Sequence, residues 1–241
     1  VQRDDCERCG VVFAKLRQPS RSRERRSADD LTHGFRQMIL EPERLYIEQH
    51  YRHWWEILTN LEQRNEYSVT TGDGRLAGWI VEQGQGLAAG LLRVVAGSHR
   101  PFEVAVMTTE KEQVLEFGRR FFFLFSDMEV KLPNGRRIGR VRRRFALLAR
   151  VYDLEDQYGN VFARISSPLF KIWTFPVIDS AGRQAAMIAK KWSGLGREYF
   201  TDADNFGVDF GGARWTPEQK AVVFAATIAI DFDFFENNQQ R

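Results

Sequence analysis

Thr216-Pro217-Glu218-Gln219 starts a helix, and the residues that follow leave it nowhere to lie except inside something. Thr216 suits the N-cap, Pro217 the first helical position, and Gln219 can reach back to close a capping box. From Ala221 to Ile230 the run is apolar on every side except at Thr227. A helix with no polar face must be buried, in a protein core or in a bilayer. Spanning a bilayer takes about 20 apolar residues, and a charge at its centre costs ~2.5 kcal/mol or more. Asp231, Asp233 and Glu236 follow Ile230 at once. A protein core is therefore the expected home, and no apolar run in the sequence is long enough for an ordinary membrane-spanning helix.

The preceding sequence supplies material for that core. Beyond Asn65, short apolar or alternating runs are divided by turn residues: Gly72-Asp73-Gly74, Thr109-Glu110-Lys111, Asn134-Gly135, Tyr158-Gly159-Asn160 and Ser180-Ala181-Gly182. Asn-Gly is a strong hairpin signal, because a two-residue turn needs the positive φ those residues tolerate. The last three turns recur at about 24-residue spacing, which points to a repeated hairpin unit. Many short strands spaced this way predict a sandwich or barrel, and a closed barrel could hold the apolar helix. Leu45, Tyr51, Trp54, Trp55, Leu58 and Leu61 recur near helical spacing, which predicts an amphipathic helix between Leu31 and about Glu62, interrupted by Pro42. Residues 18–30 are charged and nearly devoid of apolar side chains, as in a linker. Residues 1–17 carry both cysteines, Cys6 and Cys9.

Particular segments resemble the phospholipid scramblase family. Trp192 to Gly207 (WSGLGREYFTDADNFG) is similar to its most characteristic stretch, and Ile228 to Glu236 (IAIDFDFFE) to its terminal helix. Trp55 to Tyr67 resembles the lead into its first strand, and Arg100-Pro101-Phe102 a later strand start. The likeness covers roughly residues 45–236 in order, which is far more specific than an isolated motif. It implies a mainly β fold, a closed antiparallel barrel of about twelve strands, tubby-like, around one buried C-terminal helix. The domain is then expected over 31–241, behind the linker. The resemblance also implies calcium-dependent, energy-independent movement of phospholipid between leaflets.

Candidate sites follow. Asp202, Asp204, Asn205 and Asp209 fall where the family is said to bind calcium; oxygen donors alternate there, and Gly207 would permit a sharp turn. Phe206 and Ala213 stand where an EF-hand would place oxygen ligands, so a weak site is expected. Arg140, Arg142 and Arg144 share one face of a strand, with Val141, Arg143 and Phe145 on the other. With Arg136 and Arg137, and with Lys190 and Lys191 nearby, they form a candidate surface for anionic headgroups. Phe121 to Phe125 reads as a strand buried on both faces. Asp231 and Asp233 would either reach polar groups at one barrel end or mark where the helix meets water, and the second is expected.

Cys6-x-x-Cys9 resembles one knuckle of a small bacterial zinc ribbon; zinc needs four ligands, so the others are expected upstream of Val1. The cysteine cluster that animal scramblases carry before Arg-Pro-Phe has no counterpart in Gly90 to His99. Membrane contact would then rest on basic residues, and the expected location is cytoplasmic, peripheral on the inner membrane face. No nucleophile elbow, phosphate loop or dinucleotide fingerprint is present, so an enzyme is not expected. An acidic phospholipid surface is the favoured partner, a protein is possible, and nucleic acid is not expected. The alternative is a soluble ligand- or protein-binding barrel without transport activity.

Overall fold

A computed structural model describes residues 31–50, 66–82, 102–119, 127–171, 173–190 and 205–234. Twelve antiparallel strands close on themselves in simple up-and-down order. They are β1 (Arg44–His50), β2 (Glu66–Thr71), β3 (Leu76–Glu82), β4 (Phe102–Thr108), β5 (Gln113–Arg119) and β6 (Asp127–Lys131). The round is completed by β7 (Arg137–Arg144), β8 (Ala149–Asp156), β9 (Val161–Pro168), β10 (Thr174–Asp179), β11 (Gln184–Lys190) and β12 (Asn205–Asp209). β1 pairs with both β2 and β12, so the sheet has no free edge.

The two ends of the barrel differ. At one end the strands are joined by short turns of a single design. Gly74, Gly135, Gly159 and Gly182 each take a positive φ, between 77° and 88°, and Lys111 takes 65° at the equivalent place. In each, the N–H of that residue donates three positions back, as from Gly135 to the Leu132 carbonyl at 2.9 Å. Slips in register beside each hairpin mark a bulge. This is a type I turn followed by a left-handed residue, not the two-residue turn that Asn134-Gly135 suggested. Asn134 keeps an ordinary φ and uses its Oδ1 to accept from Arg136 N at 3.0 Å. From the opposite end leave the connections that contain residues 51–65, 83–101, 120–126 and 191–204.

The C-terminal helix α2 (Pro217–Phe234) enters at the tight-turn end and runs up the lumen. The expected capping box forms: Gln219 N donates to Thr216 Oγ1 at 3.2 Å, and Thr216 N to Gln219 Oε1 at 3.1 Å. Every residue from Ala221 to Ile230 is buried, which explains why the sequence spares no polar face. Phe224 meets Phe117 edge-on at 6.0 Å, and Phe232 meets Tyr67 at 6.5 Å. Each such side chain removed from water contributes about 1.5–3 kcal/mol. Gly139 lets α2 approach closely, since a Cβ there would collide with Val222 and with the Glu155 carbonyl.

The amphipathic helix expected between Leu31 and about Glu62 is not what forms over the described part. A short helical turn, α1 (His33–Phe35), widens into a π-helical turn at Arg36–Leu40; after Pro42 the chain becomes β1. Leu45 and Ile47 point into the core of the barrel, with a period of two. Pro42 ends the helical turn and the β-branched Ile47 favours a strand, so Leu45 joins β1 instead of the expected helix. Residues 51–65, Phe121 to Phe125, the linker and the cysteine knuckle lie outside the described residues. α1 and the π-helical turn close the tight-turn end with Phe35, Met38 and Ile39, and Lys220 of α2 ties the segment after them by donating to the Leu40 and Pro42 carbonyls, both at 2.7 Å.

Candidate functional site: a buried polar cluster at the open-connection end

Where α2 reaches the long-connection end, its apolar surface gives way to Asp231 and Asp233. Both are buried, at 3% and 9% exposure, instead of meeting water as expected. Tyr67, at the start of β2, donates its hydroxyl to Asp231 Oδ2 at 3.0 Å. Arg119, at the end of β5, donates to Asp233 Oδ1 at 2.6 Å; Tyr152 of β8 donates to Asp233 Oδ2 at 2.8 Å. Arg143 of β7 stands 3.9 Å from the same oxygen. Strands from around the barrel thus converge on the last turn of one helix. Burial first, and the Asp233 carboxylate beside it second, hold the Tyr152 hydroxyl protonated well above the ordinary tyrosine range.

Lys190 belongs to this end as well. It is 4% exposed, and its ammonium lies 5.4 Å from the Phe206 ring centroid. The inward pleat of β11, on which Ile188 also lies, carries it inside, so it is not the surface cation the sequence suggested. Lys191 lies outside the described residues.

The arginine row is real, and its outward face holds Arg140, Arg142 and Arg144 as expected. It covers carboxylates. Register places Arg140 opposite Glu155 and Arg142 opposite Asp153 on β8, with Asp127 and Glu129 on the β6 side. Arg144 donates to Asp153 at 2.6 Å, and Arg164 of β9 to the same carboxylate at 2.7 Å. Arg140 donates to Glu155, and also to Asp127 at 3.1 Å. Arg142 lies 3.4 Å from Glu155. Arg137 pairs with Glu129 at 3.7 Å, and Arg136 sits in the turn at the other end of the strand. Burial would raise the Asp153 carboxyl, but the hydrogen bonds from Arg164 and Arg144 outweigh it and hold it below the usual range. Asp127 goes the other way, because burial outweighs Arg140 and Arg142. The matching period-two acids Asp153 and Glu155 were visible in the sequence, but only the strand register says that they face the arginines.

Of the suspected calcium residues, the two that are described, Asn205 and Asp209, lie apart. Residues 205–209 form β12, paired on both sides, and Gly207 stands mid-strand opposite Tyr46 and Ala189 instead of making a turn. Asn205 and Asp209 are then about 13 Å apart along the strand, too far to ligate one ion whose oxygens sit at about 2.3–2.6 Å. Asp209 accepts from Arg44 at 2.8 Å and from Gly211 N at 2.8 Å. Asn205 and Asp209 therefore do not share one calcium ion. Asp202 and Asp204 lie outside the described residues, as do Cys6 and Cys9. Among the described residues no group of three or more His, Cys, Asp or Glu could hold a metal, and no helix is long and apolar enough to cross a membrane.

An up-and-down barrel filled by its own C-terminal helix, with a buried ionic cluster where that helix ends, defines the architectural class. The Scramblase family model matches residues 32–237, so the chain belongs to the Scramblase family. It is 28% identical over 202 residues to phospholipid scramblase 1 of Mus musculus, covering 77% of this chain and 60% of that protein. It is 25% identical over 224 residues to altered inheritance rate of mitochondria protein 25 of Saccharomyces cerevisiae, covering 77% and 68% respectively. A crystal structure of a protein from Arabidopsis thaliana is similar at 9% identity with a TM-score of 0.44, covering 83% of this chain and 93% of that one.

Proposed function

We propose that this chain is a lipid-handling protein that engages acidic phospholipid from the membrane surface, with the lipid outside the barrel. The observation that carries this reading is the family match across the whole barrel, to relatives named as phospholipid scramblases. In support of lipid outside the barrel, α2 occupies the lumen with Val222, Phe224 and Ile230 buried, unlike barrels that carry a ligand inside. Movement of lipid between leaflets, if driven by this barrel, takes place against its outside and its long-connection end. A calcium response is expected to depend on Asp202 and Asp204, with Asp209 serving its pair with Arg44. Zinc at Cys6 and Cys9 would require two further ligands.

One observation favours the alternative of a binding barrel without transport: the arginine row is already matched by Asp127, Glu129, Asp153 and Glu155. Flotation of the purified chain with neutral and with acidic liposomes, with and without calcium and at two salt concentrations, separates the two. Salt-sensitive flotation on acidic vesicles supports the membrane reading, and leaflet exchange is then measured. A calcium effect lost in Asp202→Ala/Asp204→Ala and kept in Asp209→Ala would place the metal response. Absence of flotation in every condition leaves the soluble module.

A further inference from the structure

Most of the exposed large hydrophobic side chains among the described residues sit in two neighbouring connections, both at the long-connection end. The β7–β8 connection presents Phe145, Leu147 and Leu148 at 72%, 77% and 81% exposure; the β9–β10 connection presents Leu169, Phe170 and Trp173, with Phe170 at 81%. β8 and β9 are adjacent, and Ala149 pairs with Pro168 at the rim, which brings the two connections side by side. Leu169 N donates to the Leu148 carbonyl at 3.1 Å, joining them directly.

These loops are also shaped by internal hydrogen bonds. Ser167 Oγ lies 2.9 Å from the Lys171 carbonyl and 2.8 Å from the Thr174 carbonyl, Lys171 N donates to Pro168, and Lys190 N donates to the Trp173 carbonyl. Backbone groups partnered within the protein are what a segment needs if it is to leave water without penalty. Charge along the two connections has one sign. From Arg140 to Tyr152 and from Arg164 to Ile178 there is no Asp or Glu, while Arg143, Arg144, Arg150 and Lys171 flank the apolar tips. An exposed apolar cluster rimmed by cations, with a Trp at its margin, has the make-up of a surface that seats in the headgroup region of an anionic bilayer.

We propose that the β7–β8 and β9–β10 connections form the membrane-insertion face of this protein, with Leu147, Leu148 and Phe170 entering the interface of an acidic phospholipid bilayer and Arg150 and Lys171 meeting its headgroups. The proposal rests on the acidic-phospholipid reading above and says which surface performs it. The insertion face lies at the same barrel end as the end of α2, so docking sets the Asp231 and Asp233 cluster on the membrane side of the barrel. The arginine row on β7 remains above it, engaged with its carboxylates.

The test is flotation of the full chain on phosphatidylcholine vesicles with and without phosphatidylserine. Leu148→Glu/Phe170→Glu is compared with Tyr158→Glu, a change at an exposed aromatic of the opposite barrel end. The wild-type chain and Tyr158→Glu are expected to float alike on the phosphatidylserine vesicles, and the double variant to lose about tenfold or more in partitioning. Thermal unfolding checks that the double variant is folded; were it not, Leu148→Ser/Phe170→Ser is read instead. Equal flotation of wild type and double variant overturns the insertion face and leaves acidic-lipid binding standing. No flotation of the wild-type chain overturns both. A wild-type dimer that the double variant dissociates, with no vesicle binding, assigns the patch to a second copy of the chain and overturns the proposal.

Discussion

Replacing Asp233 by Asn leaves the buried Arg119 guanidinium without the carboxylate that compensates it. Removing one partner of a buried ion pair costs about 3–5 kcal/mol, so Asp233→Asn is expected to lower the urea midpoint sharply. Tyr152→Phe keeps the packing and removes one donor to the same carboxylate, and about 1–3 kcal/mol is expected. Tyr152 also sets an alkaline limit. Its hydroxyl pKa is raised in the fold, so its contribution is complete below about pH 10, the unfolded tyrosine value, and is lost as pH rises beyond that. Ultraviolet titration should show this hydroxyl ionising only as the protein unfolds, and Tyr152→Phe should remove that step. Asp153 behaves oppositely: its folded pKa is lowered, so its contribution is present above about pH 4 and lost as pH falls through the folded value. Unfolding measured against pH should lose part of its acid slope in Asp153→Asn.

Among the elements, α2 was the most legible from sequence, because an apolar run between a capping box and two acids has few places to go. Its capping box and total burial match that reading residue by residue. The hairpins were legible in place though not in type, since Gly135, Gly159 and Gly182 mark left-handed positions without saying whether Asn134 shares them. β1 was misread because Leu45 was counted into a helical spacing with Tyr51, Trp54, Trp55, Leu58 and Leu61, while its pairing partners on β2 and β12 are far away in sequence. The site was legible only in part. Asp231 and Asp233 stood out, but Tyr67, Arg119 and Tyr152 come from strands scattered along the chain, and nothing local ties them to the helix. The same holds for the arginine row, whose neutralising acids are fixed by register. Two substitutions test the element packing. Gly139→Ala would push β7 from α2 and is expected to cost about 1–3 kcal/mol in chemical unfolding. Lys111→Gly relieves a positive φ and is expected to gain about 1 kcal/mol.

At the scale of the whole molecule, the barrel is polarised. α1 and tight hairpins close one end, while the other gathers the long connections, the end of α2, the buried ionic cluster and the exposed apolar loops. On the proposed reading, the contact face is held at the ends of paired strands and the core stays unchanged on docking. The contrasting possibility is that α2 leaves the barrel and enters the bilayer itself, which would uncover the inward faces of all the strands and break the Asp233 contacts. Hydrogen exchange of the α2 amides, free and bound to phosphatidylserine vesicles, with binding confirmed by co-flotation, decides between them most directly. Retained protection from Ala221 to Ile230 in the bound state is the predicted result. Loss of that protection on vesicles would contradict a lipid-handling barrel whose lumen stays sealed.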